Sequence, residues 1–126
     1  MDTLGNLLEV VVLAANCSDV AGAKAVLTKV ERQIALRLFK LWADQGYQGE
    51  LSDWLHEQFQ IQLDIVMAQP GQTGFAVQPR RWVVERTFAW LGKFRRLSKD
   101  YERCPLTREA TIYLASISTL LKRLPA

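Results

Sequence analysis

The residue order predicts an α/β chain with at least partly parallel strands, in the pattern β-α-β-α-β-loop-α-α, its helices covering the faces of a sheet. Short β-branched or apolar runs at Leu7–Ala14, Leu38–Ala43 and Ile61–Met67 have the length and character of strands. Between them, apolar residues recur at helical spacing: Ala23, Val26, Leu27, Val30 and Ile34, then Leu51, Trp54, Leu55 and Phe59. Turn chemistry at Asp2–Gly5, Asn16–Asp19 and Asp44–Gly49 separates the runs. About three strands make a thin sheet for this architecture.

Taken in order, DTLG (Asp2–Gly5) turns the chain into the first strand. Ser18 or Asp19 offers an N-cap for the first helix. The second strand ends at Asp44, and DQGYQG follows it at once as a glycine-punctuated loop in which Tyr47 packs. A helix from about Leu51 to Phe59 turns its apolar residues inward and leads to the third strand. Gln69–Pro79, with two glycines and two prolines, reads as an exposed connection. Arg81–Tyr101 reads as one basic amphipathic helix, with Val84, Phe88 and Leu91, and again Trp90, Phe94 and Leu97, at helical spacing. Thr107–Leu124 is a closing helix with Ile112, Leu114, Ile117, Leu120 and Leu121 mainly apolar.

At 126 residues the chain has the size of one domain with a real core. Its 49% hydrophobic and 23% charged content is that of a globular protein, which sets disorder aside. No apolar run reaches the roughly 18 residues that span a bilayer. The start, MDTLGNLLEVVVLAA, lacks the basic region of a signal peptide. Cys17 and Cys104 lack metal-ligand spacing and read as free thiols of a reducing cytoplasm.

Charge is divided along the chain. Residues 1–79 carry 5 Lys/Arg against 9 Asp/Glu, a net −4, whereas residues 80–126 carry 11 against 4, a net +7. An acidic half suits cations, and a basic half suits phosphates.

Two carboxylates stand out. Asp44 lies at the carboxyl end of a predicted strand, where open α/β sheets bind ligands, though an Asp there also caps its own turn. Glu85 sits among Arg81, Arg86, Lys93, Arg95, Arg96 and Lys99, and an i,i+4 ion pair with Arg81 on a solvated face is the plainer reading. Together they suit phosphoryl transfer on DNA, which uses two divalent metals roughly 4 Å apart held by carboxylates from different elements. The cations read as phosphate binders that give affinity and salt dependence with little sequence reading. Trp82 and Trp90 suit either base stacking or core packing. His56 has no partner at metal spacing; Asp53, Glu57 and Asp64 read as solvated charges, with Asp64 unusual for lying inside a strand.

The runs WADQGYQGE, RRWVVERTFAWLGKFRRLSKDYER and EATIYLASISTLLKRL together resemble the C-terminal portion of bacterial insertion-sequence transposases of the DDE type, across essentially the whole chain. The resemblance implies a truncated RNase H-like fold over residues 1–126, with an Asp–Asp–Glu triad binding two Mg2+ ions. It places the second Asp at Asp44 and the Glu at Glu85, as catalytic residues and metal ligands. It also implies a Tyr-x2-Arg-x3-Glu-x6-Lys signature for transposon-end phosphates: Arg81 and Glu85 fit, the Tyr position falls on Gln78, and the Lys position on Gly92 with Lys93 one residue later. Arg81, Arg86, Lys93, Arg95 and Arg96 are the implied DNA-binding residues.

In that family the first triad Asp precedes the DTLG turn, which here follows Met1 directly. Asp2 matches the turn and not the catalytic acid. The expectation is a transposase fragment, cytoplasmic and nucleoid-associated, acting on double-stranded DNA at transposon ends and target but inactive alone. An alternative is a non-catalytic DNA-binding or dimerising remnant, partnering itself or a full-length transposase. A third is a decayed product whose exposed sheet edge aggregates.

Overall fold

The structure, a computed structural model, describes residues 1–30, 32–67, 71 and 79–125. It divides into two compact units, Asn16–Trp82 and Met1–Ala15 with Val83–Ala126.

In the first unit, helix α1 (Asp19–Lys29) begins at Ser18, whose side chain accepts from the Ala21 N–H at 3.2 Å. Asp19 and Lys29 sit at the helix ends that favour their charges. The helix stops at Val30 (ψ 129°), so Ile34 belongs to a separate short helix, α2 (Arg32–Ala35), and not to the same face. Thr28 and Val30, both β-branched, weaken the last turn.

Strands β1 (Lys40–Ala43) and β2 (Gln62–Ile65) form a two-stranded parallel sheet, Lys40 opposite Gln62 and Ala43 opposite Ile65. The ladder continues past both ends, from Gln62 N–H to the Phe39 carbonyl (3.1 Å) and from Val66 N–H to the Ala43 carbonyl (2.8 Å). Helix α3 (Glu50–Phe59) is the crossover that parallel pairing requires. Gln60, left-handed at φ 56°, ends it with its N–H on the His56 carbonyl (3.0 Å).

Leu51, Leu55 and Ile61 are buried at 2%, 0% and 1% exposure. Val20, Ala23 and Leu27 of α1 pack against them, as do Leu41 and Leu63 of the sheet. Trp54 and Phe59 close the side edge to face, 5.4 Å between centroids. Strand alternation turns Lys40, Trp42 and Asp64 to the opposite face.

In the second unit, the Asp2 side chain accepts from Leu4 N–H (2.9 Å), Asn6 N–H (2.8 Å) and Asn6 Nδ2 (2.8 Å), which builds the predicted turn. Gly5 has φ 84°, and a Cβ there would lie 2.7 Å from Thr87 Oγ1, so position and neighbour both demand glycine.

The predicted strand Leu7–Ala14 is not one. Val10 N–H is bonded by the Tyr113 hydroxyl (3.3 Å) and Val12 N–H by Glu109 Oε1 (2.9 Å). Side chains of helix α5 (Pro105–Arg123) thus take bonds that a neighbouring strand would take, and among the described residues no strand pairs with this segment. Among the described residues the sheet therefore has two strands where about three were expected.

The single helix expected over Arg81–Tyr101 is also broken. Helix α4 (Pro79–Gly92) ends at a glycine, Phe94 is extended, and Arg95–Leu97 form a 3-10 turn. Lys93 and Phe94 N–H groups fall back on the Trp90 (3.3 Å) and Leu91 (3.0 Å) carbonyls. The inward side of α4 is Thr87, with Trp90 and Leu91 half-buried, whereas Phe88 is exposed. On α5 the buried residues are Glu109 and Ala115, and Leu114, Ile117 and Leu121 are exposed. The predicted connection Gln69–Pro79 lies outside the described residues, apart from Gly71 and the backbone of Pro79. None of the described helices is long and apolar enough to cross a membrane.

Leu55→Ala removes a side chain with no exposed surface, and we expect a loss of about 2–5 kcal/mol. Urea denaturation followed by far-UV circular dichroism measures it; a loss under about 1 kcal/mol would show that this cluster does not hold the unit.

Candidate functional site

Asp44 follows β1 directly and keeps extended backbone (φ −79°, ψ 179°). Its Oδ1 accepts from Gly46 N–H at 3.1 Å and caps the 3-10 turn Gln45–Tyr47. The turn-capping reading is thus realised, and it leaves the carboxylate at the carboxyl end of a parallel strand, exposed.

Asp19 stands near it, a residue whose sequence context offers only a helix cap. A Cβ built on Gly46 would lie 3.2 Å from Asp44 Oδ1 and 3.4 Å from Asp19 Oδ2, so both carboxylates border the same glycine. Burial, then the charges of Asp19 and Asp44, push the Tyr47 phenol above its ordinary range. Hard oxygen donors of this kind suit Mg2+, which takes one or two protein carboxylates and retains several waters. Among the described residues, no group of three His, Cys, Asp or Glu is placed to hold a metal.

On the outer face of the same sheet, Asp64 receives Lys40 Nζ at 2.5 Å and Gln62 Nε2 at 3.0 Å. The Lys40 hydrogen bond holds its carboxyl below the usual range, which accounts for an acid inside a strand. Trp42 carries the Arg80 guanidinium over its ring, 4.0 Å from the centroid, with Lys40 Nζ at 5.6 Å.

Glu85 and Arg81 are exposed on α4. Arg86, one residue further, lies over Trp90 (4.7 Å) and donates to the Leu4 carbonyl at 2.7 Å. Arg123 also meets Trp90 (5.1 Å) and bonds Asn6 Oδ1 (2.8 Å). The Thr87 hydroxyl lies 3.0 Å from both the Gly5 and Val83 carbonyls, and its one proton serves one at a time. Gly5, Asn6, Thr87, Trp90 and Arg123 border a cavity of about 20 Å³, room for one water.

Lys93 and Arg95 are exposed, whereas Arg96 pairs with Glu102 at 2.6 Å and Arg108 with Asp100. Trp82 is exposed at 45%, and His56, Cys17 and Cys104 are exposed, both thiols free. The roles of Asp19 and Arg123 had no local signal, since each depends on residues distant in sequence. Thr87 did have one: it follows Val83 by a helical turn on the side opposite Glu85.

A family profile described as the transposase DDE domain matches residues 1–121. A protein of Burkholderia cepacia named as a transposase for insertion sequence element IS402 is 31% identical over 108 residues, covering 81% of this chain and 51% of that protein. The chain thus spans about half the length of this curated relative. No solved structure matches it.

Burial disfavours ionised Asp2, but hydrogen bonds from Asn6 and Leu4 outweigh it and hold the carboxyl below its usual range. A depressed folded value stabilises the chain above the unfolded carboxyl pKa of about 3.9, and the gain is lost as pH falls through the folded value. We therefore expect the melting temperatures of wild type and Asp2→Ala to differ by a constant amount from about pH 5 to 6 and to converge below about pH 4. Thermal melts across that range check it, and a gap unchanged at low pH would rule out the ionised cap.

Proposed function

Because the chain belongs to the transposase DDE domain family, we propose that it forms part of the RNase H-like catalytic core of an insertion-sequence transposase. Residues 1–126 are, on this reading, a partial core domain, with Asp44 and Glu85 as the second and third acids of the triad. The observation that carries it is Asp44, exposed at the carboxyl end of a parallel strand with a second carboxylate beside it.

The substrate on this reading is double-stranded DNA, first at the transposon ends and then at the target. Water attacks a phosphodiester and releases a 3′-hydroxyl; that hydroxyl then attacks a target phosphorus, breaking its bond to the target strand's 3′-oxygen, which leaves as a new 3′-hydroxyl. Mg2+, when bound, supplies Lewis-acid stabilisation of charge on the phosphoryl oxygens.

Asp44 is held in one orientation by the Gly46 N–H, so little reorganisation is needed when a ligand arrives. Glu85 presents its carboxylate from α4, one helical turn after Arg81. Arg81, Arg86, Lys93, Arg95 and Arg96 are the phosphate-binding cations. Lys93 and Arg95, both exposed, are those expected to release counterions most directly. Residues 1–126 contain two acids of the three, so we expect cleavage only where an upstream Asp is joined to them.

In a transposase that carries this stretch together with such an Asp, Asp44→Asn and Glu85→Gln should each lower Mg2+-dependent cleavage of a transposon-end duplex by more than about 100-fold. Duplex binding should persist in both. Cleavage near the wild-type rate in either variant would remove that residue from the site. For the cations, Lys93→Ala with Arg95→Ala should weaken duplex binding by this chain and flatten its salt dependence by about two charges; binding indifferent to salt would exclude phosphate contacts.

A further inference from the structure

The geometry points to the Trp42–Arg80 stack as a seat for a DNA backbone phosphate next to Asp44, with Arg80 as a positioning residue for the strand that Asp44 serves. This deepens the reading above and rests on it. In β1, Leu41 faces the core, so alternation puts Lys40, Trp42 and the still-extended Asp44 on the other side of the strand. Trp42 therefore stands roughly 7 Å along the strand from Asp44, one side-chain position away on the same side.

Trp42 is 37% exposed and Arg80 is exposed, so both are open to a ligand. At 4.0 Å from the ring centroid the guanidinium is steadied by the indole π face. A planar guanidinium seated on a ring keeps its N–H edges directed outward, the arrangement suited to two parallel bonds to a phosphate.

The surrounding charge favours an anion at this place. Lys40, 5.6 Å from the same ring, has its charge matched by Asp64 at 2.5 Å. Among the described residues, no carboxylate pairs with Arg80, so its charge is left for an incoming group. A phosphate held here brings the DNA backbone to the side of β1 that carries Asp44. That is positioning and not chemistry: Arg80 orders the substrate, and Asp44 meets the reacting group.

Fluorescence anisotropy with the whole chain and a labelled duplex of about 30 base pairs, titrated at about 50 and 200 mM salt, tests this. Arg80→Ala should bind about tenfold more weakly at the lower salt, and its log–log salt slope should fall by about 0.9. Trp42→Ala, which keeps the charge but removes its seat, should weaken binding several-fold, and the double variant should be no weaker than Arg80→Ala. Trp42→Phe should restore binding and Trp42→Leu should not, a split between aromatic and aliphatic side chains that a merely structural role for the indole does not predict.

Wild-type binding by Arg80→Ala, while the Lys93 and Arg95 variants still lose affinity, would overturn this inference and leave DNA binding intact. Absence of duplex binding by the wild-type chain would overturn both. Both side chains are exposed, so far-UV circular dichroism should be unchanged. Should Trp42→Ala lose helix, Arg80→Ala alone decides through its salt slope.

Discussion

Parallel pairing of β1 with β2 over the Leu51–Leu55–Ile61 cluster is the constraint on which the candidate site depends. A parallel pair cannot be closed by a tight turn, so the chain must leave β1, cross over and return. The departure is the DQGYQG segment, and the crossover is α3, whose two buried leucines pin it beneath the sheet. Asp44 is therefore fixed at the point where the chain leaves the ladder. Its side chain satisfies the turn and remains at the strand end. One residue performs a structural task and keeps a carboxylate exposed, because the turn consumes a single oxygen.

What was legible from sequence follows the range of the interactions involved. The Ser18 cap, α3 and the Asp44 turn are set by neighbours within a few residues, and each stands where the residue pattern put it. Leu7–Ala14 has strand composition, but a strand is defined by its partner, and here Glu109 and Tyr113 supply the bonds from about a hundred residues away. The long basic helix failed at Gly92, where apolar periodicity runs on through a residue that helices tolerate poorly. The candidacy of Asp44 and Glu85 rests more on resemblance than on spacing, since an exposed acid on a turn or a helix has an ordinary explanation. The proximity of Asp19 to Asp44 was hidden because it joins two elements separated by twenty-five positions.

The basic half of the chain is less uniform than its net charge suggests. Arg86 and Arg123 clasp Trp90 and the Asp2 turn, Arg96 is tied to Glu102, and Arg108 to Asp100. Those charges are partly spent on holding the chain together (one reason a count of arginines overstates a phosphate surface). Lys93 and Arg95 stand outside that network. The sequence groups Arg86, Lys93, Arg95 and Arg96 as one set of phosphate binders, and only their partners separate them.

Gly5 has a further implication for how such a chain tolerates drift. Its positive φ and its approach to Thr87 mean that a methyl group at position 5 meets both a backbone penalty and an oxygen 2.7 Å away. Shortening Thr87 would relieve the collision but leave the Gly5 carbonyl without that hydroxyl. Substitutions at the two positions are thus epistatic: each decides whether the other is survivable, although they stand eighty-two positions apart in the chain.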